Sequence, residues 1–311
     1  MNSKTTDLTA PLRRQSGAFA MLALDQREAL RLMFAGNASP EADGTTPAWV
    51  KERVPDSMLT EFKLDAARTL SPHASAVLLD REFSLDAALE QNVVAPECAL
   101  MAAADLFIAG NGEPVTRAVI DPDLDPGAAR EQGAAALKLL VVWREDEPAE
   151  ERIAMVRDFV GKCRAQGLAS IIEPVARAPR RGGEWDWDAH ILKAAQELGS
   201  LGADLYKAEV PRKGQGTDEE ILADCKALDA AIASPWVVLS SGVPADEFPR
   251  AVRLACLAGA SGFLAGRAVW RACIDAPDRT RALREDGVQR LQRLAAIADG
   301  IIQERGAGAL S

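Results

Sequence analysis

Phe19-Ala20-Met21-Leu22-Ala23-Leu24 runs without a polar residue and stops abruptly at Asp25-Gln26-Arg27-Glu28. An amphipathic helix would break such a run at its 3.6-residue period, and a half-exposed strand would alternate. A short unbroken run is the pattern of a strand buried on both faces of a parallel sheet.

Seven further runs repeat it: Ala76–Leu79, Ala99–Ala102, Ala136–Val142, Ala169–Ile172, Ala203–Tyr206, Trp236–Leu239 and Gly262–Ala265. Longer segments with helical spacing separate most of them, notably 56–70, 149–166, 187–199, 218–232 and 245–258. Eight alternating strand and helix units in 311 residues predict an α/β fold of the closed TIM (β/α)8 barrel type, with an open doubly wound sheet as the alternative. Residues 1–311 are expected to form one barrel domain. Its polar lead-in, Met1–Gly17, offers Thr5, Thr6 and Asp7 as cap residues, and one or two closing helices occupy 277–305 before a frayed end from Gly306 to Ser311. The Gly-, Pro- and acid-rich segment Gly36–Pro55 reads as an exposed, irregular loop.

The formal net charge of −10 argues against nucleic acid or an anionic membrane as partner, so any anionic substrate needs a locally basic pocket. Cys98, Cys163, Cys225, Cys256 and Cys273 are scattered without a CxxC spacing and read as reduced core residues. The first apolar run is too short for a membrane span and lacks a cleavage site, which predicts a cytoplasmic protein. Neither GxGxxG nor GxxxxGK[ST] is present, so the main nucleotide-binding signatures are missing.

In a barrel of this kind the chemistry sits at the carboxyl ends of the strands. The first run ends in Asp25, the fourth carries Lys138, the fifth ends in Glu173, and the segment after Ala203 carries Lys207. A lysine in a buried strand is costly when charged and unpaired; desolvation and a neighbouring ammonium push it toward the neutral, nucleophilic amine. The set suits Schiff-base catalysis, in which one lysine attacks a ketone while carboxyl groups move protons. A structural ion-pair network, with Glu209 as a partner for Lys207, is the alternative. The last two runs lead into Ser240-Ser241-Gly242 and Gly266-Arg267, whose hydroxyls, exposed N–H groups and guanidinium suit a phosphate. The basic loop Arg177–Gly183, including Arg181, reads either as solvated or as a second anion clamp with Arg27 and Lys213. His73 and His190 are isolated and expected on the surface or in packing, so metal chemistry and a histidine-activated serine are both disfavoured, and no cofactor is expected.

The stretches Phe19–Glu28, Ala136–Leu140, Ser170–Val175, Ala203–Lys207, Leu239–Val243 and Gly262–Trp270 together resemble the bacterial sulfofructosephosphate aldolase family of sulfoquinovose breakdown, itself related to the tagatose-1,6-bisphosphate aldolases. The resemblance runs from about Gly17 to the C-terminal helix; the Gly36–Pro55 segment is longer here than in that pattern. It implies a class I aldolase that cleaves 6-deoxy-6-sulfofructose 1-phosphate to dihydroxyacetone phosphate and 3-sulfolactaldehyde. Lys207 would form the Schiff base, Glu173 would shuttle protons, Asp25 would handle the substrate hydroxyl, and Lys138 would tune the charge beside Lys207. Gln26, Arg27, Ser240, Ser241, Gly242, Gly266, Arg267 and Arg181 would bind a sugar phosphate carrying a second anionic group, and homo-oligomers are common in the group. A tagatose- or fructose-1,6-bisphosphate aldolase, or a non-catalytic sugar-phosphate-binding barrel, are the alternatives.

Overall fold

Alternation along the first run sets the architecture. Phe19–Leu24 forms strand β1, with every residue buried. Phe19, Met21 and Ala23 join one apolar cluster, while Ala20, Leu22 and Leu24 join another. The first cluster, with Ala76, Leu78, Met101, Ala136, Ile171, Leu205, Val237 and Leu264, fills the inside of a tube of strands; the second is the layer between strands and helices. The computed structural model describes residues 7–308. Besides β1, its strands are β2 (Ala76–Leu79), β3 (Ala99–Ala103), β4 (Asp105–Gly110), β5 (Glu113–Ile120), β6 (Ala134–Trp143), β7 (Ala169–Ala176), β8 (Leu205–Ala208), β9 (Trp236–Val238) and β10 (Gly262–Ala265). All but β4 and β5 close a parallel barrel in sequential order, sealed where β1 pairs with β10, Phe19 opposite Gly262. This is the expected TIM barrel.

The helices Asp56–Leu70, Ala149–Ala165, Trp187–Leu198, Asp218–Ala231 and Phe248–Ala258 cover it, within a few residues of the sequence expectation. Their starts follow from capping chemistry: the Asp186 carboxylate accepts from Asp188 and Ala189 N–H groups, and Thr217 with Glu220 forms a reciprocal capping box. Asp7 does not cap a helix: Thr9 stands at the N-cap of the short turn Ala10–Leu12 without a side-chain cap, and the Asp7 carboxylate instead accepts from the Thr9 N–H at 2.9 Å; Thr5 and Thr6 lie outside the described residues. The final helix, Val288–Gly308, runs through Gly306 instead of fraying there.

Three further expectations are corrected. β7 continues through Pro174 to Ala176, so Glu173 stands inside the strand rather than at its end. Pro174 lacks an N–H, but the β6 ladder passes it, Val141 opposite Pro174 and Trp143 opposite Ala176. The sixth strand is shifted toward its carboxyl end and contains Lys207. Between β3 and β6 an antiparallel hairpin, β4–β5, turns at Asn111 (φ 52°) and Gly112 (φ 71°). The Gly36–Pro55 segment is also more ordered than an open loop. It carries the helix Ala48–Arg53, and Gly44 (φ +82°) lies so near the hairpin turn that a Cβ there would stand 2.3 Å from the Glu113 carbonyl oxygen.

Gly262 sits at the barrel seam with φ +137°, and a Cβ on it would meet the Phe19 carbonyl oxygen at 1.9 Å. Gly262→Ala should therefore open the β1–β10 seam and cost about 3 kcal/mol or more in urea denaturation.

Candidate active site

Each strand that carries a charged residue into the barrel does so by continuing its inward parity one step past the apolar interior. Met21 and Ala23 lead to Asp25, Ala136 to Lys138, Ile171 to Glu173, and Leu205 to Lys207. Met101 and Ala103 lead in the same way to Asp105, the first residue of the hairpin. The side chains meet. Lys138 is fully buried, and its Nζ lies 2.6 Å from Asp25, 2.9 Å from Asp105 and 3.1 Å from Glu173. The other Glu173 oxygen is 2.9 Å from Lys207 Nζ, so one carboxylate is shared by two ammonium groups. Lys207 pairs with Glu173, and the expected alternative partner Glu209 turns elsewhere.

Burial opposes the charge on Lys138, but Asp105, Asp25 and Glu173 hold it well above the ordinary lysine value. Burial likewise opposes ionisation of Asp25; the Lys138 and Lys207 ammonium groups, the Lys138 hydrogen bond and Arg27 outweigh it and keep the carboxyl far below its usual range. Both groups are therefore fixed in their charged forms at neutral pH.

Asp105 was not anticipated from the sequence. It accepts hydrogen bonds from Lys138 Nζ and from the Leu140 N–H, both at 2.9 Å, and from Arg27 Nη2 at 2.9 Å. The Asn111-Gly112 turn between apolar alternations was its available signal, since that dipeptide marks a tight hairpin. Arg27 is thus committed to the hairpin: it also binds the Asp105 carbonyl oxygen at 2.8 Å and stacks 4.2 Å over Phe107. Gln26 donates to Asp25 at 3.3 Å, and its own carbonyl oxygen is buried without a partner.

The loops after β9 and β10 form a second cluster beside the first. Arg267 donates to the Ser241 hydroxyl, the Ala268 N–H reaches the Ser240 hydroxyl at 3.4 Å, and Gly242 turns with φ +77°. Ser240, Gly242 and Arg267 line a cavity of about 260 Å³ with Met33, Asn37 and Arg271. Gly266 is required by closeness: a Cβ would stand 2.5 Å from the Ala23 carbonyl oxygen and 3.2 Å from the Gln26 amide. Burial pulls the Arg267 guanidinium below its ordinary value, and it lies in the fields of Glu173 and Asp25, which links the two clusters.

The basic loop divides. Arg180 is tied down by Glu147 at 2.5 Å and Thr116 at 2.9 Å. Arg181 is exposed, with its backbone N–H on Asp146, and makes no side-chain contact with either cluster. Arg177 points back toward the mouth, where its charge acts on Glu209 and Arg267. Among the described residues no group of three His, Cys, Asp or Glu side chains is arranged to hold a metal ion; the three converging carboxylates enclose the Lys138 ammonium. His190 is buried in packing, its ring 5.6 Å from Trp143. The five cysteines are buried and unpaired, and no helix of the described residues is long and apolar enough to cross a membrane.

Residues 19–272 match the family model described as DeoC/LacD family aldolase. The chain is 27% identical over 283 residues to a tagatose 1,6-diphosphate aldolase of Listeria monocytogenes, covering 83% of this chain and 79% of that protein. It is 29% identical over 291 residues to one of Staphylococcus aureus, covering 85% and 83%. Among solved structures it is similar in fold to an archaeal fructose 1,6-bisphosphate aldolase, with a TM-score of 0.62 at 18% identity over 94% of this chain and 98% of that one. A fructose-bisphosphate aldolase from Slackia heliotrinireducens gives 0.63 at 16% identity over 94% and 89%.

Removing one carboxylate from a buried ion cluster leaves a charge under-compensated. Asp105→Asn should cost about 3 kcal/mol in urea denaturation, because it weakens both the Lys138 and the Arg27 contacts.

Proposed function

The chain belongs to the DeoC/LacD family of aldolases, carbon–carbon lyases, and from that premise we propose that it is a class I, Schiff-base aldolase acting on a ketose 1-phosphate that carries a second anion at its far end. One observation carries this reading: Lys207 Nζ lies 2.9 Å from a carboxylate whose other oxygen is 3.1 Å from a permanently charged lysine.

Glu173 takes a proton from Lys207, and the freed amine attacks the C2 ketone to give a carbinolamine. The same carboxyl returns its proton to the departing hydroxyl as water leaves, forming the iminium. Lys138 offsets the charge of the surrounding carboxylates and holds Glu173 in place between these steps. Asp25, present as carboxylate, then receives the C4 hydroxyl proton. A carboxyl held so low is a weak base, so the transfer runs in concert with C3–C4 cleavage, when the hydroxyl is becoming an aldehyde. The electron pair of the broken bond passes to the iminium and leaves an enamine, whose protonation and hydrolysis release dihydroxyacetone phosphate. The C1 phosphate lies on Ser240, Ser241, Gly242, Gly266 and Arg267. At the far end a sulfonate, as in 6-deoxy-6-sulfofructose 1-phosphate, is the reading supported by the six strand-end stretches; 3-sulfolactaldehyde is then the second product. Tagatose 1,6-bisphosphate is the second reading, favoured by the names of the relatives. The same proposal has the enzyme working as a single barrel domain in the cytoplasm, as a homo-oligomer, without a cofactor.

Borohydride reduction with dihydroxyacetone phosphate should add the reduced ketose to Lys207, as read by peptide mass spectrometry, and Lys207→Met should abolish the adduct. An adduct at another lysine would overturn the mechanism. Turnover of the sulfonated ketose phosphate beside tagatose and fructose 1,6-bisphosphates decides the far end.

A further inference from the structure

Glu209 follows Lys207 on the same inward parity, one step nearer the mouth, and the mechanism above leaves it without a task. It is 2% exposed. Its Oε2 accepts from the Ala176 N–H at 2.7 Å, which fixes the carboxyl, while its Oε1 is buried with no partner at all. Unsatisfied buried carboxyl oxygens are costly, so one that persists beside a reaction centre marks a place where a ligand atom completes the set.

Two cations act on Glu209 without pairing to it. Arg177 stands at the end of β7 and spends one hydrogen bond on the Ala176 carbonyl oxygen, at 2.9 Å. Lys213 comes from the turn Pro211–Gly214, where Arg212 and Lys213 both have positive φ, 55° and 51°, an arrangement that side-chain-bearing residues avoid. The turn is held from outside, by the Arg212 N–H on Asp188 at 2.6 Å and the Arg212 side chain on Asp224 at 2.6 Å. It lays the exposed Lys213 side chain 4.6 Å over the Trp187 ring and alongside Gly242 of the loop after β9. Among the described residues neither Arg177 nor Lys213 makes an ion pair with a carboxylate, although this chain carries a net charge of −10. The indole N–H of Trp187 is buried and likewise unpaired.

We propose that Arg177 and Lys213 receive the far-end anion of the substrate and that Glu209 gates this subsite by its protonation, which makes it a specificity-determining residue. The proposal rests on the Schiff-base reading and adds to it a residue outside the reacting set. With Oε2 occupied as an acceptor, the proton of a neutral Glu209 sits on Oε1, where it donates to a phosphate or sulfonate oxygen held by the two cations. An ionised Glu209 instead repels that anion and draws Arg177 and Lys213 to itself. The groups facing it are Glu173 and Arg177 from β7, Tyr206 from its own strand, Lys213 from the turn and Arg267 from the helix after β10. Burial raises the carboxyl from its ordinary 4.5 to about 7, with Glu173 adding to the rise and Arg177, the Ala176 N–H and Lys213 opposing it. The group therefore carries its proton below about pH 7 and loses it above, so the subsite is open on the acid side and closes as the pH rises.

The test is calorimetric binding of 6-deoxy-6-sulfofructose 1-phosphate from pH 6.5 to 8.5 in a Lys207→Met background that cannot cleave it, with residue 209 or 213 wild type or substituted, and with kcat of the Lys207-containing enzymes followed alongside. The sulfonate does not titrate in this range. Wild-type affinity should fall on the order of tenfold across it, as the competent fraction falls. Glu209→Gln keeps the acceptor for the Ala176 N–H and an N–H donor in place of the acid proton, and its affinity should stay at the acid-side value while kcat keeps the wild-type pH profile. Lys213→Met should weaken binding at pH 6.5 and flatten the profile. A Glu209→Gln profile parallel to the wild type overturns the proposal. Should that variant not fold, a pH-independent wild-type affinity or an unaffected Lys213→Met does the same. Failure of the borohydride adduct at Lys207 is a separate outcome that removes the Schiff-base reading and leaves the binding comparison standing.

Discussion

The ammonium of Lys138 has no access to water, and a bare charge in that position would cost several kcal/mol. Its three carboxylates come from three different parts of the chain: Asp25 at the end of β1, Asp105 at the start of the hairpin and Glu173 within β7. None of the four groups can be placed without the others. With Lys207 and Arg27 attached through Glu173 and Asp105, the cluster holds three cations and three carboxylates and is balanced within itself. That balance explains how so many charges sit beneath a barrel mouth. It also places Glu173 between the two lysines, one oxygen 2.9 Å from Lys207 and the other 3.1 Å from Lys138, the position the proposed proton shuttle needs.

The barrel supplies the cluster by simple periodicity. Side chains of a strand alternate, so an interior built from Phe19, Met21, Ala23 and their counterparts on the other strands projects its next inward residues at one level, and at that level those of β1, β6, β7 and β8 are charged. The neighbouring inward positions are small, Ala23, Ala103 and Ala136 among them, which leaves room for two lysine side chains to extend. The hairpin closes one side. Its Asp105 points inward, its Thr116 anchors Arg180, and its Glu113 pairs with Arg144, so the insertion after β3 is stitched both to the cluster and to the loop after β7.

The eight runs, and Asp25, Lys138, Glu173 and Lys207 on them, were legible in the sequence because parallel strands write themselves as unbroken apolar runs and charges at their ends stand out. Asp105 was not legible in the same way. The third run was read only to Ala102, and the strand that follows alternates with solvent-facing residues instead of forming a solid apolar block. Had the parity of Met101 and Ala103 been carried two residues on, it would have reached Asp105. Pro174 hid the length of β7, since a proline normally ends a strand, and only the ladder to β6 shows that it does not here. Arg27 and Arg181 show the limit of reading charge without partners: one is consumed by Asp105 and the other turns to solvent.

What a balanced cluster cannot do is attract an anion. The surface of this acidic chain cannot do so either, and the loop arginines that might have served, Arg180 and Arg144, are matched to Glu147 and Glu113. Among the described residues, the cations near the mouth without an ion pair are Arg267 on one side and Arg177 with Lys213 on the other, and attraction falls to them. The proposed mechanism needs this arrangement, an anion site on either side with Lys207 below. In the proposed reading two buried carboxyl groups then work at different levels: Glu173, set between the two lysines, serves the chemistry, and Glu209, held at one oxygen by the Ala176 N–H, serves recognition. In that reading β8 and its continuation carry both the amine that captures the ketone and the acid that senses the far end, so a short inward-facing stretch would set reactivity and selectivity together.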